Sequence, residues 1–397
     1  MKPAEEELGK CGGDEDDRPC PRRPGDDSSV GRVKTEGKGA SWAKKAAQGT
    51  AQIDVAKASL AERKPREAAR VAKAKAEEDA KVAEARRLED KETEWAQCEE
   101  ESFASRFRPF WNRYFARIHG ANFHETTSIP AMRYTYPTPE DEYDTRTMET
   151  MQIVSVKVAS IKEPLSWPLQ VFGIVAVRDV LDHKRNIVFQ RPRNGCQNIT
   201  EEDPYLALTG PSRAVAVSMK PTFIEVSLKV KGATKSDDKD LSELVVNFRS
   251  GCWLVDVYPS RLSTLEFKYD IVMHSVEATI CIKVTGGSWP GGFRGVFCAF
   301  TTSAADLKVK LLDFGDDGGM PVDAGGMVKL SRSVVSVGLE EMLKVSAVAC
   351  PMNEEQVCES SEASFKPAKA GISPSGVELK VGSCSMEVSV AWSLFCC

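Results

Sequence analysis

The sequence predicts an all-β region from about Met148 to the C-terminus, preceded by a long charged α-helix and a disordered N-terminus. Three observations carry the β assignment. Apolar residues alternate with period two after Met148, and β-branched types dominate there. Clusters of turn formers such as "KSDDKD", "GDDGG" and "SPSG" separate the runs, and no long helical period interrupts them. Strict alternation places one face of each strand in a core and leaves the other polar, the antiparallel pattern.

The elements follow in order. Residues 1–42 are rich in Gly, Asp, Pro and Ser and hold almost no large apolar residue. Such a segment buries too little surface to offset its ordering entropy, so it is expected to be disordered. Residues 43–120 form an Ala-, Lys- and Glu-rich helical arm, with the main helix expected from Pro65 to Phe107. Opposite charges recur three and four residues apart, as in Lys75 with Asp79 and Lys81 with Glu84. Val71, Val82 and Leu88 are too sparse for a coiled-coil seam, so the arm reads as a solvated helix, with weak self-association or partner binding as the alternative.

In "FASRFRPFWNRYFARIHG", aromatic residues at helical spacing interleave with arginines. Pro109 is expected to kink or restart this helix and Gly120 to end it. Phe107, Trp111, Arg113, Tyr114 and Arg117 are the candidate partner-binding residues. An aromatic stripe of this kind serves as a docking face for the neighbouring domain, or binds a membrane surface or nucleic acid. Residues 121–147 form a linker.

The β runs are explicit. "QIVSVKVA" sets Val154, Val156 and Val158 on one face, and "FIEVSLKVKG" sets Ile224, Val226, Leu228 and Val230. "TLEFKYD" gives Leu265, Phe267 and Tyr269; "VEATICIKV" gives Val276, Ala278, Ile280, Ile282 and Val284. "GVELKVG" and "MEVSVAWSL" close the series. About twelve to sixteen short strands are expected.

Parts of this region repeat. The frame Ser-Trp-Pro-x-x-x-x-Gly begins at Ser166 and again at Ser288. "SRAVAVSMKPTFIEVS" from Ser212 matches "SRSVVSVGLEEMLKVS" from Ser331 at an offset of 119, and Ser275 and Glu277 match Ser385 and Glu387. The order is kept, which predicts an internal duplication into two antiparallel sandwich-like units, 148–262 and 263–397. Trp then covers an end of each core, and Gly173 and Gly295 allow a bulge or a close backbone approach.

Composition excludes several classes of function. Net charge is −5, so no basic field asks for nucleic acid. Residues 1–100 hold 21 Lys and Arg against 23 Asp and Glu, so the dense charge of the arm is nearly balanced. No secretory leader or membrane span is read, and the twelve cysteines include no Cys-x-x-Cys pair, so a cytoplasmic or nuclear protein with reduced thiols is expected. Asn198-Ile199-Thr200 reads as a loop and not as a glycosylation site.

No catalytic, cofactor or metal set is predicted. Asp179, Asp182 and His183 in "RDVLDHKRN" form the best polar cluster for acid–base work, against a plain reading as a polar turn between strands. "DFGDDGGMPVDAGG" holds Asp313, Asp316, Asp317 and Asp323, which read as a polar hairpin, with calcium as the alternative. Glu67-Ala68-Ala69-Arg70 matches an N-glycosidase string but sits in a low-complexity charged run. Cys396-Cys397 continues a strand more readily than it forms a lipidation signal.

The segments "SWPLQVFGIVAVRDVLDHKRNIVF", "DPYLALTGPSRAVAV", "FIEVSLKVKG", "STLEFKYD" and "SMEVSVAWSLF" resemble a family of grasses known as domain of unknown function 6598. The resemblance covers about residues 148–395, with "TTSIPAMRYTYPTP" similar to the family's lead-in. It implies an intracellular plant protein with a variable charged extension, and it brings no functional residues. The expected function is a non-catalytic interaction module for a protein partner or small ligand. The alternatives are a hydrolase or N-glycosidase-like enzyme with residues from distant loops, and a peripheral membrane or ligand-binding β-sandwich.

Overall fold

The computed structural model describes residues 69–88, 91, 102–116, 120–136, 144–248, 255–315, 319–351 and 357–396. The chain divides into two compact units, Met1–Ala83 and Glu84–Cys397. Residues 69–88 are helical, and Val71, Val82 and Leu88 along them are exposed. Lys73 and Glu77 stand 4.0 Å apart across one turn, an exposed pair that contributes little. Of the helix expected over Pro65–Phe107, the described residues 69–88, 91 and 102–107 are helical, and the helical segment that begins at 102 runs to 111. The disorder expected over 1–42 lies outside the described residues.

The second helical segment does not break at Pro109. It continues to Trp111 and then widens into a π-helical turn over Asn112–Ala116. Pro109 has no N–H for the preceding turn, and the ladder loosens directly after it.

Among the described residues, seventeen strands follow, and every strand pair is antiparallel. They are β1 (Met148–Ile161), β2 (Leu169–Arg178), β3 (Asn186–Arg191), β4 (Gln197–Ile199), β5 (Val215–Val217), β6 (Thr222–Val230), β7 (Lys239–Phe248), β8 (Val255–Pro259) and β9 (Ser263–Gly286). Then come β10 (Phe293–Thr301), β11 (Val309–Phe314), β12 (Val334–Gly338), β13 (Leu343–Pro351), β14 (Glu359–Phe365), β15 (Gly371–Ile372), β16 (Glu378–Val381) and β17 (Cys384–Ser393).

One eight-stranded sheet holds β1, β5, β8, β9, β12, β15, β16 and β17. A five-stranded sheet, β2, β3, β4, β6 and β7, shares a core with β1 and the first part of β9. A four-stranded sheet, β10, β11, β13 and β14, shares a second core with the rest of β9 and with β17. In each half the opening strand pairs with the closing strand and with a short middle strand: β1 with β9 and β5, then β9 with β17 and β12. The second strand of each half pairs with the third and with the long strand after the short one: β2 with β3 and β6, then β10 with β11 and β13.

Two expected strands are one. "TLEFKYD" and "VEATICIKV" run together in the 24-residue β9. Odd-numbered Leu265, Phe267 and Tyr269 enter the first core, whereas even-numbered Val276, Ala278, Ile280 and Ile282 enter the second. The switch is a bulge: Met273 and His274 both face Glu149 of β1, and His274 has φ +46°. One extra residue exchanges the two faces of everything downstream. The same device corrects the face expected for Val154. It is the extra residue between Ile153 and Ser155 in β1, only half-buried, while Ile153 takes the core position.

The repeated frames enter equivalent strands. Trp167 packs on the first core just before β2, and Trp289 on the second just before β10. At Gly173 a Cβ would fall 2.1 Å from the Ser227 carbonyl oxygen, and φ is +124°. At Gly295 it would fall 2.1 Å from the Phe314 ring. Gly173→Ala is expected to lower the unfolding free energy by about 1–3 kcal/mol through overpacking and strain. An unchanged urea midpoint for that variant would show the approach to be dispensable.

Candidate functional site

β2 ends on Arg178, Asp179 follows it, and both side chains are fully buried. Asp179 takes the Arg213 guanidinium on both oxygens, at 2.5 and 2.9 Å, and also accepts the backbone N–H of Leu181 and of Ala216. Asp182 accepts from Arg213 at 3.2 Å and from the Thr127 hydroxyl at 2.6 Å. His183 stacks on Phe115 at 4.1 Å, and its carbonyl accepts from the Trp111 indole and from Arg178. The chain therefore brings Asp179, Asp182 and His183 together on the turn between β2 and β3, as the plain reading has it, and buries them there beside an ion-pair network. Burial works against the charge of Arg213, yet the Asp179 carboxylate holds it above its ordinary pKa. A general base needs a lone pair facing a cleft. Asp179 faces an arginine and backbone donors instead.

A second buried set lies beside it. Glu225 accepts from Arg178 at 2.8 Å and pairs with Arg185, and Arg178 lies 4.3 Å over the Phe123 ring. Burial would raise the Glu225 pKa, but Arg185 and Arg178 hold it below the ordinary value of 4.5. The sign follows. A depressed carboxyl contributes stability that is complete above about pH 4.5 and lost as pH falls through its folded value. Glu225→Gln is expected to flatten the fall in stability below that pH, measured as melting temperature against pH.

This network absorbs part of the predicted partner face. Phe107 and Trp111 are 1% and 0% exposed, packed with Phe123 on Phe223 of β6 and Val245 of β7. They are core residues of the domain, because the outer face of the β2–β6–β7 sheet is itself apolar at this point. Tyr114 is exposed, with Arg113 5.7 Å over its ring, and Arg117 lies outside the described residues. Asp313 is held by Arg294 and Lys310, Asp323 by the backbone N–H of Gly325 and Met327, and Asp316 and Asp317 lie outside the described residues. Among the described residues no three His, Cys, Asp or Glu side chains are grouped to hold a metal ion.

A cavity of about 550 Å³ opens where the two halves meet. One wall is the segment 203–208, which lies along β1 through Leu206 N–H to the Val156 carbonyl and is clamped by Gln197 to Tyr205 and Ala207. The opposite wall is β11 with Ser331 and Arg332, whose backbone N–H groups both donate to the Leu311 carbonyl. The lining is mixed: Leu206, Leu208 and Leu312 give it an apolar strip, Lys268, Lys308, Lys310 and Arg332 bring positive charge, and Asp203, Asp306 and Asp313 negative. Sequence reading missed this site, because its walls come from segments more than a hundred residues apart. The only signal was the repeated Ser-Arg at 212–213 and 331–332.

Residues 150–390 match the sequence profile of a family described as "Domain of unknown function (DUF6598)". No curated protein matches the chain. Among solved structures, human GIVD cytosolic phospholipase A2 aligns at 7% identity with a TM-score of 0.19, over 63% of this chain and 33% of that one. The two calcium-bound C2 domains of Extended-Synaptotagmin 2 align at 10% identity with a TM-score of 0.22, over 64% of this chain and 98% of that one. The chain thus spans a third of the phospholipase, and superpositions this loose carry no argument. No helix among the described residues is long and apolar enough to cross a membrane.

Proposed function

Because the chain belongs to the DUF6598 family, whose description assigns no activity, we propose its function from the site itself: a non-catalytic module that binds a small molecule in the cavity between its two halves. The carrying observation is that cavity. Its volume of about 550 Å³ falls in the range of ligand pockets, and its mixed lining sets charged side chains beside an apolar strip. The enzymatic alternative loses its best candidates, since Asp179 and Asp182 are committed to Arg213.

The reading includes an internal duplication that created the junction. It is supported by the pairing pattern drawn twice, by Trp167 and Trp289 at equivalent strand entries, and by Gly173 and Gly295 at equivalent close approaches. With it goes the setting that the sequence motifs imply, an intracellular protein of grasses.

The test is binding of the neutral dye Nile red to the full chain, read by fluorescence. Saturable binding is expected, and Ala207→Trp, an exposed lining position, should weaken it about tenfold by filling the space. Absent binding, or equal binding by that variant, overturns the proposal.

A further inference from the structure

Arg213 and Arg332 occupy matching places in the two repeats, each just before the short strand β5 or β12. Both are buried, at 2% and 3% exposure. Their surroundings differ in one respect. Arg213 meets the carboxylates of Asp179 and Asp182. For Arg332, no carboxylate among the described residues stands within ion-pair distance. It donates to the carbonyls of Ile153 and Val154, at 2.5 and 3.2 Å, which the β1 bulge turns toward it. These two bonds leave donors of the guanidinium fork unused, and its Nε has no partner among the described residues. Burial alone pulls its pKa down from 12.5 to about 10, the mark of a cation stripped of water and given no counter-charge.

A desolvated, uncompensated cation is costly to keep unless something completes it. Arg332 lines the cavity, and two of the three lysines there are engaged elsewhere. Lys310 is held by Asp313, and Lys308 sits 4.9 Å from the Phe300 ring. Asp203 and Asp306 offset the lysines, so selection rests on the buried guanidinium and not on the net charge of the lining. A planar fork favours carboxylate and phosphate oxygens over neutral acceptors.

We propose that the cavity takes an amphiphile with an anionic head group, a carboxylate or a phosphate monoester, received by Arg332 while its apolar body lies against Leu206, Leu208 and Leu312. This rests on the binding reading above and adds the ligand's chemical class.

The experiment is displacement of Nile red from the full chain by decanoate, decyl phosphate and decanol, each below its micelle concentration, with inorganic phosphate as a fourth arm. Decanoate or decyl phosphate is expected to displace the dye at least about tenfold more effectively than decanol, the stronger of the two identifying the head group. Inorganic phosphate, lacking a body, should displace nothing. Equal displacement by decanol overturns the head-group assignment and leaves the cavity reading standing; displacement by inorganic phosphate alone overturns the amphiphile. Arg332→Gln should erase the preference for the anion, and a folded variant that keeps it overturns the role of Arg332. Should that variant not fold, the acid-to-alcohol ratio of the unaltered chain decides.

Discussion

Replacing Asp179 by asparagine is expected to cost about 3–5 kcal/mol of unfolding free energy, the penalty for orphaning a buried partner. The change keeps the shape of the side chain and removes only its charge. Arg213, 2% exposed, would then face Asp182 alone at 3.2 Å, and the anchors from Asp179 to Leu181 and Ala216 would weaken. The double variant Asp179→Asn with Arg213→Met should be more stable than Asp179→Asn alone, because no buried charge is left unmatched. Urea unfolding followed by circular dichroism measures both. A loss under about 1 kcal/mol, in the range of an exposed pair, would refute the network's structural weight.

Trp111→Ala is expected to cost a similar amount, about 3–5 kcal/mol, typical of a large aromatic removed from a core. Trp111 is fully buried, its indole N–H donates to the His183 carbonyl at 2.8 Å, and Arg178 lies 5.0 Å over its ring. Its loss would open a cavity and leave the His183 carbonyl with one donor fewer. Proteolysis should report the same event locally, with faster cleavage around 102–116 than in the parent chain. Tyr114→Ala, at an exposed position on the same segment, should change neither measurement appreciably.

The strands were legible because burial on one face writes period two into the sequence. Leu265, Phe267 and Tyr269, or Met386, Val388 and Val390, needed no more than that. The bulges were not legible. Val154 and the Met273–His274 pair are set by pairing with a distant strand, and nothing local marks the extra residue. The aromatic stripe was read correctly as apolar, but whether it faced a partner or its own domain depended on Phe223 and Val245, more than a hundred residues away. Asp179, Asp182 and His183 were found as a group, yet their role turned on Arg213, which sequence reading noticed only as part of a repeat. The cavity follows the same rule: a site assembled from Val154, Tyr205, Leu311 and Arg332 has no signature in any one stretch.

β9 leaves the two halves no seam. A proteolytic nick or a proline within it would fray both cores at once, so thermal melting should show one transition and not two. It also sets a delay during synthesis. Ile161 and Ser263, the nearest β1–β9 partners along the chain, are 102 residues apart, so a nascent β1 waits at the ribosome with one edge bare. That interval is when the polypeptide is most open to aggregation, and when a chaperone would find it.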